Sequence, residues 1–484
     1  MNTVMPHWLT KRAYLSPEQV AIETHEGEVL TFLQLQEKSK SFARKLASVG
    51  VRSGENVGIF SGNEPQMIIA IHALSYLGCT CVLLNMRLTE TELSYQIKDS
   101  NMSYLLASDS EYKKVTEMNV PVEVLSFSMI KTKQEKEVSL VTEISLDDPF
   151  TIVYTSGTTG NPKGVVHTYG NHWWSAISSA LNLGLSQNDK WLTVLPMFHV
   201  GGFSICMRSI IYGISMYVME KFDVAEVNEA IFSKNITIAS VVTVMLQQLT
   251  DNLQDQAYPE TFRCMLLGGG PVPKPLLETC AERNIPVFQS YGLTETSSQI
   301  VTLSPRDALK KLGSAGKPLF PGQLKIHQPD EDGVGEILVK GPMVTKGYLH
   351  NEQANTESFQ NGWLATGDLG YVDEEGFLYV VERRTDLIIS GGENVYPSEI
   401  ESVLSGCVHV KDIGVIGKKD DKWGEIPVAF IVPSTKNVLK EEILKYAEKH
   451  LARYKVPKEI KFVQELPRTA SNKLMRRELV KMLS

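Results

Sequence analysis

At 484 residues and 53.9 kDa the chain exceeds what one hydrophobic core usually serves, so at least two domains are expected. Its 43% hydrophobic and 21% charged residues are those of an ordinary soluble globular protein. A net charge of −8 and a pI near 5.8 argue against a nucleic-acid partner, which would favour a basic face.

The segment from Met1 to Trp8 has no basic stretch followed by an apolar core, so no signal peptide is expected. Ser16-Pro17-Glu18-Gln19 and Thr31-Phe32-Leu33-Gln34 both carry a capping hydroxyl with Gln three residues on, the pattern of a helix start. Leu35, Phe42 and Leu46 then fall on one helical face ending at Gly50. The uncharged run 67–84 approaches the length of a membrane span, but a buried helix ending near Gly78 followed by a strand over 79–84 accounts for it better, and no membrane insertion is expected. Further strands at 56–60 and 104–107, with a helix capped by Thr89, continue the alternation, which predicts a layered α/β sheet. The six cysteines are scattered, and the Cys79/Cys81 pair lacks metal-ligand neighbours, so they read as reduced structural thiols in a cytoplasmic protein.

Charged residues 131–137 read as a solvated loop, and a second α/β stretch runs from Asn171 to about Val301. Between Gly313 and Val380 the texture changes to short β runs, with a hairpin around Asp373-Glu374-Glu375-Gly376. From there strand and helix alternate again: a helix from Pro397, strands near 413–416 and 428–432, and a helix over 439–451. The expected fold is therefore α/β, with a large N-terminal domain of layered sheets and a β-rich subdomain over 1–385, and a small α+β domain over 386–484.

The chemistry centres on Thr155-Ser156-Gly157-Thr158-Thr159-Gly160-Asn161-Pro162-Lys163-Gly164, which follows the β-branched run Thr151-Ile152-Val153-Tyr154. Glycines let backbone N–H groups approach an anion, while Ser and Thr hydroxyls and Lys163 add donors and charge, so the stretch reads as a triphosphate cradle. It is not the Walker A pattern, because Pro162 precedes the lysine and Gly164 follows it. A second polar run, Gln289-Ser290-Tyr291-Gly292-Leu293-Thr294-Glu295, follows the apolar residues 285–288, at the sheet edge where open α/β folds bind ligands. Gly268-Gly269-Gly270-Pro271 is either a tight turn or a bare backbone wall for a base.

Together with Trp363-Leu364-Ala365-Thr366-Gly367-Asp368, Ser390-Gly391-Gly392-Glu393-Asn394-Val395-Tyr396-Pro397 and Leu466-Pro467-Arg468-Thr469-Ala470-Ser471-Asn472-Lys473-Leu474, these motifs resemble those of the adenylate-forming enzymes, which include acyl-CoA synthetases, peptide-synthetase adenylation domains and firefly luciferase. The resemblance implies ATP, Mg²⁺ and coenzyme A as cofactors and co-substrates. It implies Thr155, Ser156, Gly157, Thr158, Thr159 and Lys163 on the phosphates, and Gly269, Gly270, Pro271, Gln289, Ser290, Tyr291 and Gly292 around adenine. Asp368 and Arg383 would meet the ribose, Thr294 the α-phosphate and Glu295 the metal, with Lys473 as the catalytic ammonium. Gly391 and Gly392 would line a pantetheine tunnel, and Asp386 would be the hinge of a mobile C-terminal domain. Around Arg383 the chain departs from the family pattern, with Glu382 and Thr385 where Gly and Lys are usual.

Residues 194–219 correspond to the family's acyl-pocket wall and contain no Asp or Glu, which disfavours an amino-acid substrate. Arg208 either meets a second substrate carboxylate or makes a structural ion pair, and His199 is read as a pocket wall or gate. Longer stretches, including Gly170-Asn171-His172-Trp173-Trp174 and Thr296-Ser297-Ser298-Gln299-Ile300-Val301-Thr302, resemble one branch, the o-succinylbenzoate-CoA ligases of menaquinone biosynthesis. On that resemblance His199, Arg208, Ser297 and Thr302 are the candidate substrate residues. Alternatives are an aryl- or medium-chain acyl-CoA synthetase, a module loading a carrier protein, and a non-catalytic nucleotide sensor. A homo-oligomer stays open.

Overall fold

Helix Pro65–Leu77 is apolar on nearly every side, and all of its residues after Pro65 are buried. Gly78 ends it in the left-handed conformation (φ 71°), and the chain drops directly into strand Thr80–Leu83, as the run 67–84 predicted. The computed structural model describes residues 3–88, 90–155, 162–254, 256–268, 272–383, 388–390, 393–395, 397–420, 423–435, 438–451, 453, 455–469 and 472–483. Among these no helix is long and apolar enough to cross a membrane.

The strands of the described residues form four sheets. One runs in the order Lys163–Thr168, Pro149–Thr155, Thr80–Leu83, Asn56–Phe60, Met102–Ala107, Glu123–Ser126, parallel except for its first pair. The second has fourteen strands, with a parallel part ordered Val20–Thr24, Ser215–Val218, Lys190–Thr193, Ile238–Val242, Cys264–Gly268, Val287–Leu293. It continues antiparallel through Ser298–Leu303 and Ser314–Pro318 into Leu378–Arg383 and Trp363–Val372, so the β-rich region extends the α/β sheet rather than standing beside it. The hairpin expected near 373–376 closes with Val372 opposite Leu378.

The main core joins both sheets: Val57, Leu83 and Phe150 of the first and Trp191, Met216 and Leu266 of the second share one cluster with helices Phe32–Ser48, Pro65–Leu77 and Val200–Tyr212. Burying each Leu, Ile or Phe there contributes about 1.5–3 kcal/mol. All six cysteines are buried and free. From residue 388 onward a separate cluster, including Ile400, Leu404, Val415, Ile431 and Ile443, draws only on C-terminal residues around a five-stranded sheet. Asp386, the expected hinge, lies outside the described residues, as does Thr89, the expected cap of helix Glu90–Asp99.

Thr31 and Gln34 form a full capping box. The similar pattern at Ser16 starts no helix: Ser16 follows helix Trp8–Leu15, and the chain turns into strand Val20–Thr24, with Ile22 opposite Met216. Pairing a β-branched strand into a buried sheet outweighs one capping hydroxyl, and Gln19 instead donates to the Gly213 carbonyl at 2.6 Å.

Candidate active site

Thr155 and Lys163 stand opposite each other at the ends of two antiparallel strands that form a hairpin pair. Ser156, Gly157, Thr158 and Thr159 lie outside the described residues, as do Gly269, Gly270, Pro271, Gly391 and Gly392. The hairpin is braced from the side by residues 345–349. Val166 N–H donates to the Gly347 carbonyl (3.2 Å), Leu349 N–H to that of Gly164 (2.7 Å), and Val165 bridges Tyr348. The Lys163 ammonium rests 5.0 Å above the Tyr348 ring.

Strand Val287–Leu293 carries Gln289, Ser290, Tyr291 and Gly292 within the strand itself, where the sequence suggested the sheet edge. Its parallel pairing ends at Gln289, after which it pairs antiparallel with Ser298–Leu303. A side chain at Gly292 would run into the Ser298 carbonyl, so the motif needs glycine there. Ser290 Oγ donates to the Leu267 carbonyl (2.9 Å), and Tyr291 OH donates to Asp368 Oδ2 (2.9 Å), joining two residues expected to meet one nucleoside. Asp368 is buried and faces Arg383 across the strand pair; the Arg383 side chain lies outside the description.

Thr294 and Glu295 follow in a one-turn helix, Thr294–Thr296. The Thr294 carbonyl lies 2.7 Å from His167 Nε2, and a carbonyl only accepts, so Nε2 carries the proton. His167 Nδ1 then accepts from Thr151 Oγ1 (3.3 Å), which in turn accepts from His172 Nε2 (2.8 Å). Burial lowers the pKa of His167 to about 4 and that of His172 further, with each also affected by its neighbours, so the relay is neutral at neutral pH. Glu295 is gripped twice: Thr345 N–H donates to its carbonyl (2.8 Å), and Tyr348 OH donates to Oε1 (2.9 Å). Burial and the Glu295 carboxylate push the Tyr348 phenol up, which keeps it a donor. No group of three or more metal-ligating side chains occurs among the described residues. A single carboxylate of this kind suits Mg²⁺, which takes most of its oxygens from phosphates and water.

Arg208, 1% exposed on helix Val200–Tyr212, lies over Trp191 at 5.0 Å and donates through Nη2 to Ser298 Oγ at 3.1 Å. Its other polar neighbour is the Tyr212 hydroxyl; none of the ion pairs among the described residues involves it, and its Nε has no partner among them. The structural ion pair left open by the sequence is therefore absent there. Nearby elements carry other buried polar atoms without partners among the described residues, at His199 Nε2, Gln289 Nε2, Gln299 Oε1 and Thr302 Oγ1. Such groups are rare in a packed interior, and each invites a polar partner. Ser297 Oγ, by contrast, donates to the Met343 carbonyl at 2.9 Å.

Lys473 follows a tight turn: Thr469 N–H donates to the Lys473 carbonyl (2.8 Å), and Asn472 is left-handed at φ 63°. Arg468 spans it, donating to the Asn472 carbonyl (2.9 Å) and to Asp412 Oδ1 (2.7 Å). Burial first, then the charges of Lys473 and Arg87, lower the pKa of His199 to about 4.

The structure thus links Lys163 with Glu295 through Tyr348 and Tyr291 with Asp368, while Arg208 meets Ser298 on the strand whose Thr302 stands opposite Ser290. Sequence reasoning missed Thr345, Tyr348, His167, Ser298 and Arg87. Only the compact Thr345-Lys346-Gly347-Tyr348 stretch, small and aromatic residues between β runs, could have drawn notice.

Residues 9–349 match the AMP-binding enzyme family, and residues 399–473 match the AMP-binding enzyme C-terminal domain. The 2-succinylbenzoate–CoA ligase of Oceanobacillus iheyensis is 55% identical over 99% of this chain and 100% of its own length. The o-succinylbenzoate CoA synthetase of Bacillus subtilis, solved with the acyl-adenylate intermediate OSB-AMP, superposes with a TM-score of 0.94 at 46% identity, covering 99% of this chain and 98% of that one. The same enzyme solved with ATP and magnesium ion gives 0.93 at 45% identity, over 99% and 100%. With both family models matched in order along the chain, the protein belongs to the AMP-binding enzyme family.

Proposed function

We propose that the protein is a 2-succinylbenzoate–CoA ligase that activates its acid with ATP and Mg²⁺, passes it to coenzyme A, and serves menaquinone biosynthesis. The observation that carries the reading is Arg208: a buried guanidinium with no carboxylate partner among the described residues, in a wall free of acidic residues. An unpaired buried charge costs several kcal/mol, and the second carboxylate of a dicarboxylic aromatic acid offsets it.

The substrate carboxylate attacks the α-phosphorus of ATP, breaking its bond to the bridging oxygen and releasing pyrophosphate. Lys473 reaches the attacking carboxylate and the α-phosphate, where negative charge grows. Thr155, Ser156, Thr158, Thr159 and Lys163 hold the phosphates and Thr294 the α-phosphate, while Tyr291 and the Gly269-Gly270-Pro271 segment flank adenine. Asp368 and Arg383 meet the ribose. Mg²⁺ at Glu295 supplies charge neutralisation for the departing pyrophosphate. The thiol of coenzyme A then attacks the acyl carbon and AMP leaves, with the thiol proton passing to solvent. Between these steps the domain from 386 onward turns about Asp386, withdrawing Lys473 and bringing Gly391 and Gly392 to the pantetheine arm.

The test is coenzyme A-dependent AMP release with o-succinylbenzoate, benzoate, octanoate and amino acids. A clear preference for o-succinylbenzoate is expected. Arg208→Ala should lower kcat/KM for it by about 10–100-fold, the worth of a charged hydrogen bond, and leave benzoate turnover unchanged. Turnover of simple acids alone would sink the substrate assignment, and an unaltered KM for the diacid in the variant would remove the second-carboxylate role from Arg208.

A further inference from the structure

Tyr348 touches both of the groups that the proposed reading gives to the charged end of ATP. Its hydroxyl donates to Glu295 Oε1 at 2.9 Å, and its ring lies beneath the Lys163 ammonium at 5.0 Å. The residue itself is 9% exposed and fixed at both backbone atoms by one side chain: Tyr348 N–H donates to Asn355 Oδ1 (2.6 Å), and Asn355 Nδ2 donates to the Tyr348 carbonyl (2.9 Å). Phe359 packs edge-on against the ring at 5.8 Å, and the bridge to Val165 ties the segment to the hairpin strand that begins at Lys163. One rigid side chain therefore spans two elements, the hairpin and the Thr294–Thr296 turn, that are far apart in sequence.

We propose that Tyr348 is a positioning residue that sets the Glu295 carboxylate and the Lys163 ammonium at a fixed spacing, so that Mg²⁺ and the triphosphate are taken up as one unit. The proposal rests on the roles given above to Glu295 and Lys163. The hydroxyl occupies Oε1 and fixes the carboxylate plane, which leaves Oε2 for the cation. Partners of this kind fix ligand orientation and commonly contribute 10–100-fold to metal affinity. The ring face separately steadies the lysine through the attraction of a cation to π electrons.

The two contacts separate by substitution. Tyr348→Phe keeps the ring and removes the hydroxyl; Tyr348→Leu removes both. ATP binding is measured calorimetrically in chelator and then across a Mg²⁺ series, with the melting temperature of the unliganded variants as a check on folding. Tyr348→Phe should raise the Mg²⁺ concentration for half-maximal gain in ATP affinity by about tenfold or more, with binding in chelator unchanged. Tyr348→Leu should add a loss of ATP affinity in chelator. A Tyr348→Phe protein whose Mg²⁺ dependence stays within about twofold of the parent, well short of the tenfold such partners contribute, would overturn the proposal. Equal losses with and without Mg²⁺ would overturn it too, since a general packing defect acts that way. A Glu295→Gln variant with the parent's Mg²⁺ dependence would instead remove the assignment of Glu295, and the proposal with it.

Discussion

Glu295 and Lys473, the two charged side chains assigned opposite ends of the reacting phosphates, are held in different ways. The Thr294-Glu295 turn is gripped by neutral, buried groups: His167, Thr345 and Tyr348. The Lys473 turn is spanned by an ion pair whose partners Arg468 and Asp412 keep 29% and 37% of their surface in solvent. A neutral buried network is rigid, because breaking it strands polar groups away from water. A half-exposed pair inside the small domain shapes its own turn and does not anchor that turn to the large one. The contrast suits one group that stays at the site and another that leaves it between half-reactions.

The sharpest way to break this contrast is Lys473→Ala. Acyl-adenylate formation, followed by pyrophosphate exchange, should fall by about 10²–10³-fold, the range for losing one preorganised charge-stabilising donor. Thioester formation from preformed acyl-adenylate should be unchanged. Parallel loss in both would mean that Lys473 serves the fold, not the first step.

Arg468→Met should act on the same half-reaction more weakly. About a tenfold loss is expected if turn geometry is its contribution, and combining it with Asp412→Asn should add little, as partners of one network do not act additively. An effect confined to thioester formation would contradict the bracing of the Lys473 turn by Arg468.

The regions also separate by pH. Burial lowers the pKa of His167 and His199 to about 4 and those of His7 and His72 to about 3, against about 6.5 when unfolded. Between those values the unfolded chain binds more protons. Stability is therefore full above pH 6.5 and declines as the pH falls, by up to about 1.4 kcal/mol per pH unit for each histidine. These residues all belong to the large domain, so its melting should shift with acid while the C-terminal unit, followed by a local probe, shifts less. Equal shifts would show that the two units do not melt separately.

Much of this arrangement was legible in the sequence because its signals are local. Gly78 announces a helix end and Thr31 with Gln34 a capping box. What was not legible is relational. Tyr348 acquires meaning only when 53 positions of separation from Glu295 close into a hydrogen bond, and His167 only when its ring reaches the Thr294 carbonyl. The open choice at Arg208 turned on which neighbours the fold supplies: Ser298, Trp191 and Tyr212, with no carboxylate among the described residues. At Ser16 a local signal misled, because sheet pairing with a strand nearly two hundred residues away decides that stretch.

An enzyme that works on a thiol cofactor also exposes itself to that thiol. Here all six cysteines are buried, and burial pushes Cys79, Cys206 and Cys264 up to about 12 and Cys280 to about 11. Almost none of these sulfurs is ionised at neutral pH, and thiolate is the form that exchanges with disulfides. Oxidised coenzyme A consequently finds nothing to couple with on the folded surface. The same burial makes alkylation a clock for unfolding: five of the sulfurs report on the large domain, and Cys407 alone reports on the small one.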